Sequence, residues 1–99
     1  MASRYFLKVK EVTRETDEAV SISFWHPISE EIRYQPGQFL TFLLTIDGQK
    51  VRRSYSMSSS PQTDVSLAVT VKRLPGGLVS NYLCDHVKEG DTLLLTLPT

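Results

Sequence analysis

Short apolar runs with a two-residue period, separated by turn-forming pairs, restrict this chain more than any other feature. Tyr5, Leu7 and Val9 alternate with Lys8 and Lys10, and Val20, Ile22 and Phe24 alternate with Ser21 and Ser23. Val65, Leu67, Val69 and Val71 alternate with Ser66, Ala68, Thr70 and Lys72. Successive side chains of a strand point to opposite faces, so each run specifies a strand with one buried side. Gln38 to Ile46, rich in Phe, Leu and Thr, follows a turn at Tyr34-Gln35-Pro36-Gly37, and Asp47-Gly48 forms a hairpin turn into Val51 to Met57. Pro61 to Asp64 breaks the chain again, and Thr92 to Leu97 reads as a last strand. One segment is helical: Val79, Leu83 and Val87 recur at four-residue spacing within Leu78 to Val87, with Tyr82 beside them, until Gly90-Asp91. Six strands and one short helix predict an all-β fold, an antiparallel barrel that removes its own exposed edges by closing.

A length of 99 residues suits one domain. The 11 basic and 11 acidic residues cancel, whereas nucleic-acid binders usually carry a basic surplus to neutralise phosphates. No nucleic-acid partner is therefore expected. A single cysteine, Cys84, excludes an internal disulfide and any multi-cysteine metal site, and is most simply a small buried apolar residue. The longest mostly apolar stretch, Phe39 to Ile46, is far shorter than the ~20 residues of a membrane helix, and no signal peptide follows Met1. A cytoplasmic protein without a membrane partner is the expectation. His26, between Trp25 and Pro27, reads as a turn histidine; His86 sits at the helix end, where the dipole favours a cation.

Two segments carry chemistry. In Arg52-Arg53-Ser54-Tyr55-Ser56-Met57, strand geometry puts Arg53 and Tyr55 on one face and Ser54 and Ser56 on the other. A guanidinium offers a planar fork of donors to phosphate oxygens, and tyrosine offers a stacking surface with a hydroxyl. The plain alternative is a solvated strand edge followed by a serine-rich loop. In Leu74-Pro75-Gly76-Gly77-Leu78-Val79-Ser80, two glycines lead into a helix start whose first N–H groups lack intrahelical partners and favour an anion. A simple loop before a helix is the competing reading. Together the two segments propose two different devices gripping one pyrophosphate.

Arg53-Ser54-Tyr55-Ser56 resembles the Arg-x-Tyr-Ser signature of the ferredoxin-reductase flavoprotein superfamily. Val71-Lys72-Arg73 followed by Gly76-Gly77-Leu78-Val79-Ser80-Asn81-Tyr82-Leu83 resembles its pyrophosphate-binding segment. Pro36-Gly37-Gln38-Phe39 and Lys88-Glu89-Gly90-Asp91 are similar to its framework, so the likeness spans nearly the whole chain. Flavohaemoglobin reductase modules and reductase components of bacterial oxygenases, such as those acting with phenylacetyl-CoA, are the most similar branches. The resemblance implies a Greek-key barrel that binds FAD, with FMN less favoured. It implies that residues 1–99 are one FAD-binding domain, taken from a longer reductase with a C-terminal NAD(P)-binding domain, and that the segment alone is inactive with NAD(P)H. In the whole enzyme, electrons pass from NAD(P)H through FAD to a ferredoxin-type iron–sulfur or haem acceptor.

Residue by residue, the resemblance assigns the flavin diphosphate to Arg53 and to Gly76, Gly77, Leu78, Val79 and Ser80. Tyr55, with neighbouring Ser54, lies against the isoalloxazine ring or ribityl chain; Ser56 takes the catalytic place near flavin N5; Val71, Lys72 and Arg73 meet the flavin through their backbone. The competing function is a non-enzymatic barrel that binds nucleic acid or a protein partner, with Arg52, Arg53, Lys72 and Arg73 as a basic patch.

Overall fold

The computed structural model describes residues 4–27, 32–60 and 66–96. The break at Pro61–Asp64, the start of the fifth strand at Val65, and Leu97 to Thr99 lie outside the described residues. The strands are β1 (Arg4–Thr16), β2 (Ala19–Phe24), β3 (Phe39–Ile46), β4 (Gln49–Ser56), β5 (Leu67–Lys72) and β6 (Thr92–Thr96), with one helix, α1 (Leu78–His86), between β5 and β6. They form one antiparallel sheet in the order β4-β3-β6-β1-β2-β5.

The sheet curls because β1 serves two partners. Its first part, Arg4 to Lys8, pairs with β6, and the stretch from Val9 to Thr16 pairs with β2. A register shift between Val9 and Glu11 lies where β1 changes partner, and a second, between Arg14 and Thr16, lies at its far end; an extra residue in one strand bends it locally. The two edges, β4 and β5, then approach each other and meet at a bridge between Met57 and Val69. The predicted barrel is thus a curled sheet with a seam.

The two-residue periods place the core. Leu7, Val9, Val20, Ile22, Phe24, Leu40, Phe42, Leu67, Val69, Val71 and Leu95 are buried inside the curl. Phe42 lies at its centre, edge-on to Phe24 at 5.8 Å and to Tyr55 at 5.6 Å. The helix closes the open side with Val79, Leu83 and Cys84, and Val87 follows as a buried C-cap. The turn readings hold as well: Asp47 and Gly48 have φ of 51° and 78°, the pair of positive values that a two-residue hairpin requires. His26 lies in the irregular stretch after β2, its Nδ1 accepting the Ile32 N–H at 3.0 Å.

Candidate functional site

The strand register decides which side chains of β4 face inward. Phe42 stands opposite Arg53 and Leu40 opposite Tyr55, while Thr41 stands opposite Ser54. Tyr55 packs edge-on against Phe42 and is half-buried, whereas the Ser54 hydroxyl bonds that of Thr41 at 2.7 Å. Burial pushes the Tyr55 phenol above its ordinary value of 10.0, with the nearby Arg53 charge acting against it. The ring therefore stays a neutral hydrogen-bonding surface at physiological pH. The exposed Arg53 guanidinium donates only to the carbonyl of Arg52 beside it, at 2.6 Å, among the bonds described.

Across the seam, α1 begins at Gly77 without a side-chain cap. The Gly77 N–H closes a turn onto the Leu74 carbonyl at 2.9 Å, and the first helical bond runs from the Asn81 N–H to the Gly77 carbonyl at 3.1 Å. The N–H groups of Leu78, Val79 and Ser80 precede that bond and have no intrahelical acceptor. Ser80 and Asn81 turn back to hold the loop. The Ser80 hydroxyl accepts the Leu74 N–H at 3.1 Å, and the Asn81 amide donates to the carbonyls of Leu74 at 3.0 Å and Gly77 at 2.7 Å. Gly77 itself fits because it lacks a Cβ, which would stand 2.6 Å from the Ser80 hydroxyl.

These two elements face one cavity. It encloses about 330 Å³ and is lined by Arg53, Ser54 and Tyr55 from β4 and by Leu74 and Gly77 to Ser80 from the loop and helix start. The predicted convergence of strand guanidinium and helix amides is present. The fit to a flavin nucleotide follows from the donor set: the Arg53 guanidinium, which joins none of the ion pairs among the described residues, and a row of amides for phosphate oxygens, beside an aromatic ring face.

Other predicted residues stand outside that wall. Ser56 ends β4 one residue beyond Tyr55, opposite Phe39, and is exposed. Gly76 and Lys72 are exposed, and the Val71 side chain is buried in the core. The Arg73 N–H is taken by the Glu18 carbonyl at 2.5 Å. Its side chain clamps α1, with Nη1 donating to Asn81 at 2.8 Å and both Nη atoms to Asp85 at 3.0 and 2.6 Å. Neither Asp85 nor this clamp was indicated by the sequence pattern, since a basic residue 12 positions before an acidic one carries no local signal.

The hydrogen bonds from Arg73 hold the Asp85 carboxyl below its ordinary value of 3.8. A depressed carboxylate stabilises the fold above the unfolded-state value and loses that contribution as pH falls through the folded one. The melting-temperature difference between wild type and Asp85→Asn is therefore expected to be constant near neutrality. It should shrink as pH falls below about 4. Thermal melts from pH 7 to pH 2.5 check this; a difference unchanged across that range would show that the ion pair contributes nothing.

Residues 6–99 match the family model for the oxidoreductase FAD-binding domain. This chain belongs to that family. Over 90 residues the domain is 42% identical to the glycine betaine monooxygenase reductase subunit of Pseudomonas aeruginosa, covering 91% of this chain and 25% of that protein. Over 100 residues it is 37% identical to a subunit of the 1,2-phenylacetyl-CoA epoxidase of Escherichia coli, covering 99% of this chain and 28% of that one. Among solved structures, the flavohem-like FAD/NAD binding domain of nitric oxide dioxygenase from Vibrio cholerae superposes with a TM-score of 0.82 and 30% identity, covering all of this chain and 44% of that one. The chain spans about a quarter of the length of the curated relatives it matches. The FAD-binding domain is thus an oxidoreductase component with FAD as its cofactor, and the reading as a nucleic-acid or protein interaction module is set aside. No helix among the described residues is long and apolar enough to cross a membrane.

Proposed function

We propose that this FAD-binding domain is the flavin module of an NAD(P)H-dependent reductase that delivers electrons to an iron–sulfur or haem acceptor. The observation that carries the reading is the cavity shared by Arg53 and Tyr55 on β4 and by the helix start at Gly77–Ser80. Relatives named as reductase components of oxygenases support it. Residues 1–99 supply the flavin part, and a NAD(P)-binding domain in the same protein supplies the nicotinamide site. The cytoplasm, where a lone thiol such as Cys84 stays reduced, is the compartment that fits.

In this reading FAD, when bound, carries the hydride and electron chemistry. Arg53 and the amides of Leu78 to Ser80 grip the diphosphate from opposite sides. Tyr55, backed by Phe42, holds the isoalloxazine ring or ribityl chain flat against the seam. Ser56 presents a hydroxyl near the flavin edge as donor or acceptor. Val71, Lys72 and the Arg73 carbonyl border the ring through the backbone.

Titration of the purified domain with FAD is expected to show saturable binding, and NADH is expected not to bleach the bound flavin. Failure to bind FAD and FMN at high micromolar concentrations would defeat the flavin reading. Rapid bleaching by NADH would show that the domain also holds a nicotinamide site.

A further inference from the structure

Helix α1 opens without the device that most helices use. An N-cap Ser, Thr, Asp or Asn would fold its side chain over the amides of the first turn, but Gly77 holds that place and no side chain caps it. The amides of Leu78 to Ser80 are thereby left open towards the cavity shared with Arg53. A turn that keeps its own donors uncovered has to be held in shape from elsewhere. We propose that Asn81, oriented by Arg73, is the positioning residue that does so, and that this pair thereby sets the affinity for the flavin diphosphate; this rests on the flavin reading above.

Asparagine is a poor residue inside a helix, because its side chain competes for backbone groups. At Asn81, one turn into α1, that competition is put to use. Its Nδ2 donates to the carbonyl of Gly77 at 2.7 Å and to that of Leu74 at 3.0 Å. The same two carbonyls accept the backbone bonds that define the turn, from the Asn81 N–H and the Gly77 N–H. One amide therefore staples both ends of the loop that carries Gly76 and Gly77. The stapled turn is tight: a Cβ on Gly77 would lie 3.2 Å from the Leu74 carbonyl oxygen.

Arg73 fixes which way the amide points. Its Nη1 donates to Asn81 Oδ1 at 2.8 Å, so the amide oxygen faces the guanidinium and the Nδ2 hydrogens face the loop. Asp85 holds the guanidinium through both Nη atoms, and the Glu18 carbonyl holds the Arg73 backbone N–H. The brace thus runs from the end of β5 through Arg73 and Asn81 to the loop. Neither Arg73, Asn81 nor Asp85 is among the residues lining the cavity with Arg53, so they act through the turn and not by touching the phosphates. Reaching Asn81 and Asp85 together takes a planar fork, which lysine lacks.

Fluorescence titration of the 99-residue domain with FAD, run well below the melting temperature of every variant, tests this. Asn81→Leu keeps the size of the side chain and removes its donors. It is expected to weaken FAD binding about five- to tenfold, the scale of one or two lost hydrogen bonds. Arg73→Lys keeps the charge but not the fork, and is expected to show a smaller loss in the same direction. Ile22→Val, a core truncation on β2 that touches neither loop nor cavity lining, is the control for a general loosening of the fold. It is expected to bind FAD within about twofold of wild type. Wild-type affinity in Asn81→Leu, or an equal loss in Ile22→Val, would overturn the positioning role and leave the flavin reading standing. Wild-type affinity in Arg73→Lys would remove Arg73 from that role. Failure of the wild type to bind FAD would overturn the flavin reading, and this assignment with it.

Discussion

Replacing Arg53 with alanine is expected to weaken FAD binding by about 10- to 100-fold, because hydrogen bonds to a charged group are worth about 1.5–3 kcal/mol. The guanidinium lines the cavity from β4, opposite the helix amides, and its described bond is to the adjacent Arg52 carbonyl. It is exposed and forms none of the ion pairs described, so its loss should leave the melting temperature of the flavin-free domain nearly unchanged. Arg53→Lys keeps the charge but not the planar fork and should fall between the two. Fluorescence titration of FAD at two salt concentrations reads the effect: the wild-type affinity should fall with added salt more steeply than that of the alanine variant. An unchanged dissociation constant in Arg53→Ala would remove β4 from the phosphate site.

Phe42→Ala is expected to cost about 3–5 kcal/mol of folding stability, a large share of the ~5–15 kcal/mol that holds a typical domain together. Phe42 is fully buried at the centre of the curl and contacts two rings edge-on, Phe24 and Tyr55. Shrinking it opens a void that the tightly packed core cannot fully fill. Because Tyr55 loses its backing, the flavin affinity of whatever remains folded should fall as well. Urea unfolding measures the first effect; a stability loss below about 1 kcal/mol would mean that the centre of the barrel is not where the ring contacts place it. Phe42→Leu, which fills more of the space, should be milder.

The strands were legible because period-two alternation reports burial directly. Val20, Ile22 and Phe24, and Leu67, Val69 and Val71, are all buried as their spacing requires. The helix was legible from Val79, Leu83 and Val87, although it ends at His86, one residue before the expected Val87, which turns extended as the C-cap. The bend of β1 was not legible, since its register shifts depend on which partner each half meets. At the site, Arg53, Tyr55 and the Gly77–Ser80 turn could be nominated from residue chemistry. The Arg73 side chain could not, because its bidentate partner Asp85 comes into reach only once α1 folds back on β5.

The seam between β4 and β5 has a consequence for handling the protein. Within the described residues β4 pairs with β3 alone, apart from the Met57–Val69 bridge that follows its end. A strand with one vacant side is a template for intermolecular pairing and aggregation. A dinucleotide lying along that opening would shield it, so cofactor depletion exposes a sticky border. If flavin binds there as proposed, adding it to the purification buffer is expected to raise the domain's solubility.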